Sequence, residues 1–233
     1  MKFGLHFGSR GMVGNPDTLA AVARKAEALG YEHFGVSDHV VVATEVDSRY
    51  PYSESGKFFA QDTGVCLEQV TTLSFIAAAT TRIRLLTSVP VLPHRHPMLA
   101  AKMLATLDVL SKGRLTCGVS VGWMAEEMAL LGAPPFADRA RASDEYMQAF
   151  RELWTSAAPE LQGQFAKFEK LKFEPKPVQK PHPPLWVGGE IGAARRRAGR
   201  LGDGWYPVAA NPNAPLDTAD LYAAGLAEVR GEA

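Results

Sequence analysis

Apolar positions along the chain follow two rhythms in alternation. Phe3 to Phe7 is a short strand-like run. Asn15 can cap a helix with Pro16 at its first position, where a missing N–H costs nothing, and Leu19, Val22, Ala23, Ala26 and Leu29 recur at helical spacing until Gly30 stops it. Tyr31 to Ser37 predicts a second strand. A polar excursion follows from about Val40 to Val65, then a helix over Leu67 to Ala79. Ile83 to Val91, β-branched and apolar, predicts a strand buried on both faces. His96-Pro97 opens a third helix with Leu99, Met103, Leu104, Leu107 and Leu110 on one side, and Gly113 ends it before a strand over Arg114 to Val121.

Two helices are predicted next, Met124 to Leu131 and Asp138 to Thr155, separated by Pro134-Pro135. Between Glu160 and Lys180 the pattern shifts to short alternation around Phe165, Phe168, Leu171 and Phe173, which predicts a hairpin hung outside the main fold. Pro175, Pro177, Pro181, Pro183 and Pro184 predict a stiff extended lead-in. A strand at Leu185 to Val187, a helix at Ile191 to Leu201, a strand at Trp205 to Val208 and a helix at Leu216 to Val229 complete the pattern.

Strand-helix alternation of this kind builds a parallel sheet through right-handed crossovers. A dinucleotide fold wants Gly-x-Gly-x-x-Gly after its first strand, and Gly8-Ser9-Arg10-Gly11-Met12-Val13-Gly14 lacks that spacing, so a TIM-like (β/α) barrel is favoured. The units number about six where a closed barrel needs eight. The expectation is one α/β domain over residues 1–233, lacking about two C-terminal β/α units, with excursions at 40–65 and 157–183.

Of 233 residues 46% are apolar, enough to fill a sizeable core and to exclude a disordered or disulfide-stapled chain. Lys plus Arg total 25 against 25 Asp plus Glu, a balance that argues against nucleic-acid binding. Cys66 and Cys117 are too isolated for a zinc site or a disulfide framework, which fits a reducing compartment. The first strand starts too near Met1 for a secretion signal, and no apolar run reaches the roughly 18 residues of a membrane span. A cytoplasmic protein with no membrane partner is expected.

Barrel enzymes collect their chemistry at the C-terminal ends of the strands. That rule selects His6 and Ser9; Ser37, Asp38 and His39; Thr87, Ser88 and Val89, with His94, Arg95 and His96 beyond; Gly118 to Trp123; Gly188, Gly189 and Glu190; and Trp205 and Tyr206. Asp38-His39 is either an acid/base pair titrating near neutral pH or a loop ion pair. His6, beside two glycines, is either a hydrogen-bonded core histidine or part of a pocket. Gly188-Gly189 before a helix leaves amides free for an anion, although Glu190 would oppose one unless its side chain turns away. The histidines also suggest a metal site, but the His-x-His of barrel metal hydrolases is missing from Leu5-His6-Phe7-Gly8, so no metal is expected.

These residues together resemble the luciferase-like monooxygenase superfamily, and within it the oxidoreductases that use the deazaflavin coenzyme F420. The resemblance rests on Ser37-Asp38-His39, on Thr87 to Pro93 with His96-Pro97, on Leu107 to Leu115 running into Gly118 to Trp123, and on Pro184 to Gly189 with Leu201 to Trp205. It implies a ring cofactor over the C-terminal mouth of the barrel, F420 or alternatively FMN. Asp38 would hold the cofactor and His39 would be proton donor or acceptor. Ser88-Val89 would carry a non-proline cis peptide behind the ring, Val121, Gly122 and Trp123 would line the ring edge, and Gly188 and Gly189 would bind phosphate. Trp123 departs from relatives with a carboxylate near that point. Trp123, Trp205 and Tyr206 would wall the pocket of a small organic substrate, together with His6. The excursion at 40–65 is either a lid or a plain surface loop. The resemblance also implies a homodimer, paired through helices such as Leu67 to Ala79.

Overall fold

The computed structural model describes residues 2–7 and 15–233. In chain order the elements are β1 (Gly4–Phe7), α1 (Pro16–Ala28), β2 (His33–Val36), α2 (Gln69–Ala79), β3 (Arg84–Thr87), α3 (Pro97–Leu110), β4 (Leu115–Val119), α4 (Ala125–Leu130), α5 (Arg139–Thr155), β5 (Leu161–Gln162), β6 (Lys167–Phe168), β7 (Leu185–Gly188), α6 (Gly192–Leu201), β8 (Gly204–Tyr206) and α7 (Ala219–Gly231). The expected Ser9 and the glycine-rich run at 8–14 lie outside the described residues.

Six strands make one curled parallel sheet in the order β1-β2-β3-β4-β7-β8, a half-barrel with β1 and β8 at its edges among the described residues. Side chains alternate across it. Leu5, Phe34, Leu85 and Leu115 stand side by side in register, and Cys117 stands beside Leu185, all packed under the helices. The opposite, concave face carries Gly4, His6, His33, Gly35, Arg84, Leu86, Thr116, Trp186 and Tyr206 around a cavity of about 730 Å3.

The helices begin and end where local chemistry dictates. Asn15 accepts the Thr18 amide at 3.0 Å, leaving Pro16 at the first position of α1. At the far end of α2 the Arg114 guanidinium donates to the carbonyls of Ala77 and Thr80, groups that the helix itself leaves unpaired, and to that of Ile83 just before β3. The Trp154 indole N–H bonds the Ala101 carbonyl at 3.0 Å and fixes α5 to α3.

Three expectations are corrected. The predicted strand over Ile83 to Val91 is regular only over Arg84–Thr87; Pro90 has no N–H for a ladder, Val91 makes an isolated bridge to Ser120, and the chain turns into a short 3-10 helix at Leu92–His94. The hairpin at β5-β6 is not outside the fold. Its Phe168 and the following Phe173 are buried in the main core, and Glu145 of α5 accepts the amides of Gln164, Phe165 and Ala166. The proline-rich lead-in is not a straight rod: Glu174–Pro175 and Lys180–Pro181 are cis, and the Asp108 carboxylate pins it through the amides of Val178 and Gln179 at 2.7 and 3.0 Å.

Candidate active site

The strand ends converge at one rim of the half-barrel. After β2 the chain places Asp38 and His39 side by side, both buried, but pointing to different partners. Asp38 is tied entirely to the turn after β3. Its Oδ2 accepts the Val91 amide at 3.0 Å and Arg95 Nη1 at 2.9 Å, and its Oδ1 accepts Arg95 Nη2 at 2.8 Å. Arg95 continues to Glu68 at 2.8 Å. With both oxygens engaged, Asp38 shapes this part of the rim.

His39 takes its carboxylate from elsewhere. Its Nδ1 lies 2.7 Å from Oε2 of Glu127, a wholly buried residue of α4. Glu127 Oε1 also accepts the amides of Val40 and Val41, at 2.7 and 3.2 Å. Burial pushes the Glu127 carboxyl up, but the His39 hydrogen bond, the nearby His94 and the Val40 amide outweigh it and hold it below its ordinary value. An ionised carboxylate can only accept, so Nδ1 of His39 carries the hydrogen and Nε2 is left to exchange a proton. His94 lies behind the pair, its Nδ1 3.8 Å from Glu127 and 4.0 Å from Asp38.

Aromatic rings wall the histidine. Its imidazole is 4.6 Å from the Phe58 ring and 6.4 Å from Trp123, and Tyr50 packs on both Phe58 and Trp123. Phe58 and Tyr50 belong to the excursion at 40–65, which is therefore built into the site. Glu126 of α4 accepts the amides of Asp47 and Ser48, at 2.8 and 3.0 Å, and Phe58 and Ala60 are buried against Met124. Tyr52 reaches towards β7: burial, then the charge of Glu190, pushes its hydroxyl far above the ordinary value.

At the end of β3 the Ser88–Val89 peptide is cis, as the resemblance implied. Val89 lies over Gly118 and Gly188, where a Cβ would come within 2.9 Å and 3.4 Å of its methyls. Ser88 Oγ meets the Tyr206 hydroxyl at 3.0 Å, and His6 Nε2 lies 3.4 Å from the Ser88 carbonyl, so His6, Ser88 and Tyr206 line the concave side together. Burial lowers the His6 pKa despite that carbonyl, favouring a neutral ring. Trp205 is not with them. Strand alternation turns it outward, where its ring stacks on Tyr222 of α7 at 5.6 Å and its N–H bonds the Gly189 carbonyl, which corrects its expected place in the pocket wall.

Gly189 adopts a φ of 110°, a backbone region that favours glycine. Beyond it Glu190 turns away from the Gly188-Gly189 corner, accepting the Val208 amide and the Asn211 side chain, each at 2.7 Å. The objection that Glu190 would repel an anion at the N-terminus of α6 is thereby removed. Val121, Gly122 and Trp123 run along the rim from β4 to α4, with the Gly122 carbonyl held by Arg139 at 3.3 Å. No group of three His, Cys, Asp or Glu side chains is arranged to hold a metal ion among the described residues.

A model of the luciferase-like monooxygenase family matches residues 1–232. The chain belongs to this family. An uncharacterised protein of Mycobacterium tuberculosis is 35% identical over 212 residues, 91% of this chain and 71% of that protein. An FMNH(2)-dependent dimethylsulfone monooxygenase of Pseudomonas putida is 36% identical over 141 residues, 60% of this chain and 38% of that enzyme. Among solved structures, a monooxygenase from Streptomyces bottropensis superposes with a TM-score of 0.78 at 27% identity, over 100% of this chain and 65% of that one. An F420-dependent secondary alcohol dehydrogenase gives 0.73 at 22% identity, over 98% and 64%, a likeness of fold. This luciferase-like chain thus spans about two thirds of the length of these structures.

Within that family frame, the residue missed by sequence reasoning is Glu127. The adjacent acids Glu126-Glu127 opening a short helix were the available signal. Their partners, 86 to 88 residues away for Glu127, were not visible in any local pattern.

Proposed function

We propose that this chain carries the active site of an oxidoreductase that holds a flavin-type ring, in the first instance F420, and that His39 is the group exchanging a proton with a small organic substrate. The observation that carries the reading is the buried His39–Glu127 bond at the strand-end rim. A hydride-transfer site needs one oriented proton-transfer group in surroundings that exclude water. His39 has its ring fixed by a 2.7 Å bond and walled by Phe58 and Trp123.

The residues present fit such a group. Val89, projecting over Gly118 and Gly188, gives the mouth an apolar floor, and Ser88, Val121 and Gly122 border it. Gly188, Gly189 and the first turn of α6, with Arg196 lying beside Gly192, form an anion corner suited to a phosphate. When bound, the ring would supply or accept a hydride. The chain's own contributions are distinct. Glu127 holds the His39 tautomer, and Asp38 with Arg95 fixes the turn behind the mouth. Tyr50, Phe58 and Trp123 keep water from the imidazole, and His6, Ser88 and Tyr206 line the space below. The lid reading of the excursion is favoured by the Tyr50 and Phe58 contacts.

Reduced FMN is the second reading, favoured by the 36% identity to an FMNH(2)-dependent monooxygenase. Titration of the purified chain with F420, and separately with FMN under reducing conditions, followed by cofactor fluorescence, distinguishes them. Binding of F420 with loss of turnover in His39→Ala supports the first reading. Binding of FMN alone replaces it with the second, and full turnover in His39→Ala removes the histidine's role.

A further inference from the structure

His94 is buried, its Nδ1 has no hydrogen-bond partner, and it stands between two carboxylates, 4.0 Å from Asp38 Oδ2 and 3.8 Å from Glu127 Oε1. The two carboxylates differ in how their charge is met. Asp38 has the Arg95 guanidinium on both oxygens. Glu127 has no lysine or arginine among the described residues; the groups able to place a positive charge beside it are His39 at 2.7 Å and His94 at 3.8 Å. A buried carboxylate without any cation is costly, and two imidazolium ions flanking one carboxylate repel one another. The favoured state has one imidazolium and one neutral ring beside Glu127.

We propose that His94 is a positioning residue for His39: one of the two imidazoles at a time is the cation beside Glu127, so that the protonation of either ring sets that of the other. When His39 gives its proton to a substrate, His94 takes one up from water, and Glu127 keeps a cation beside it throughout. In the reverse direction His94 releases its proton to water as His39 gains one. The charged and titratable groups facing His94 are Asp38, Glu127, Arg95 and His39; the Cys66 thiol, raised by burial, feels the same two carboxylates. Burial lowers the His94 pKa most, and Arg95 and His39 lower it further, while Glu127 and Asp38 raise it. The net effect holds the ring below its ordinary value, and the charge of Glu127 and of His39 both bear on it.

The inference rests on His39 as the proton-transfer group, but its test needs neither cofactor nor turnover. Ring signals of histidine-labelled full chain are followed by NMR across roughly pH 5 to 8, the range where imidazoles titrate. The His39 signal is expected to move in two steps in the native chain, the second coinciding with the His94 titration, and in a single step in His94→Asn. Should that variant fail to fold, His39→Asn reads the same coupling from the other side, because linkage is reciprocal: the His94 signal then reduces to one step. A single-step His39 curve in the native chain, or a two-step curve that persists in His94→Asn, overturns the proposal. A chain that shows the coupling yet binds neither F420 nor FMN would sink the functional reading and leave this one standing.

Discussion

Replacing Glu127 with Gln changes one atom of the site and reverses the direction of one hydrogen bond. The amide oxygen can go on accepting from Val40 and Val41, the contacts now at 2.7 and 3.2 Å. The group in place of Oε2 becomes an NH2 donor, so His39 Nδ1 must accept from it and the ring hydrogen moves to Nε2. A charged hydrogen bond contributes about 1.5–3 kcal/mol and a neutral one about 0.5–1.5, so the exchange costs about 1 kcal/mol of stability. For a chain of this size that lowers Tm by roughly 2–4 °C. Glu127→Ala is different in kind. It removes the acceptor of the buried imidazole and of the part-buried Val40 and Val41 amides, for which about 3 kcal/mol is expected, with a correspondingly larger fall in Tm. If His39 is the proton-transfer group, the wrong tautomer costs turnover about 10²–10⁴-fold in the Gln variant despite its near-native stability. Thermal unfolding gives the two stabilities, and the nitrogen shifts of His39 report the tautomer directly. An unchanged tautomer in Glu127→Gln, or equal losses of Tm for Gln and Ala, would refute the reasoning.

Two further predictions concern the scaffold. Glu27 at the end of α1 accepts the amides of Thr81, Arg82 and Ile83 at 2.6 to 2.9 Å. Burial raises its pKa, but those three amides together outweigh it and bring it from 4.5 to about 2. Such a drop is worth roughly 3 kcal/mol at full weight, and solvent screening at this partly exposed group leaves about 1 kcal/mol. A depressed carboxylate stabilises the fold above its unfolded pKa, so the contribution is complete above pH 4.5 and lost as pH falls towards 2. Glu27→Gln should lower denaturant midpoints at neutral pH and match the parent near the acid end; a constant gap across that range contradicts the assignment. Gly118→Ala should lose about 1–3 kcal/mol through overpacking, because its Cβ meets the Thr87 carbonyl and a Val89 methyl. Gly188→Ala, with nothing nearer than 3.3 Å, should lose less, and equal losses would show that Val89 does not fill that space.

The α/β alternation was legible because each element has to bury one face, and that requirement is written in local spacing. The sheet order followed from crossover handedness. Strand ends were less legible: Ile83 to Val91 is apolar throughout, and only Pro90 hinted that the ladder stops at Thr87. Asp38 and His39 were legible as a place but not as a pair, because adjacency along the chain does not fix where side chains point. Their true partners, Arg95 and Glu127, lie 57 and 88 residues away. Trp205 was assigned to the wrong side because a strand of three residues, Gly204–Tyr206, gives alternation too little length to reveal its phase. The aromatic excursion was visible as a long polar interruption, whereas its anchoring depended on helix α4, far downstream.

That anchoring has a consequence for the order in which the molecule assembles. The segment at 40–65 has no strand or helix of its own; its backbone is held by Glu126 and Glu127, and its Ser48 hydroxyl accepts the Ala125 amide, contacts spanning 77 to 87 residues of chain. Loop closure over such a distance carries an entropy cost that local contacts do not repay, so β3, α3, β4 and α4 must be in place before the segment can settle. It is therefore the last part of the site to fold and the first to open in native-state hydrogen exchange, with Val40, Val41, Asp47 and Ser48 exchanging ahead of the sheet. The chamber around His39 is consequently a late and reversible addition to a scaffold that is already formed without it.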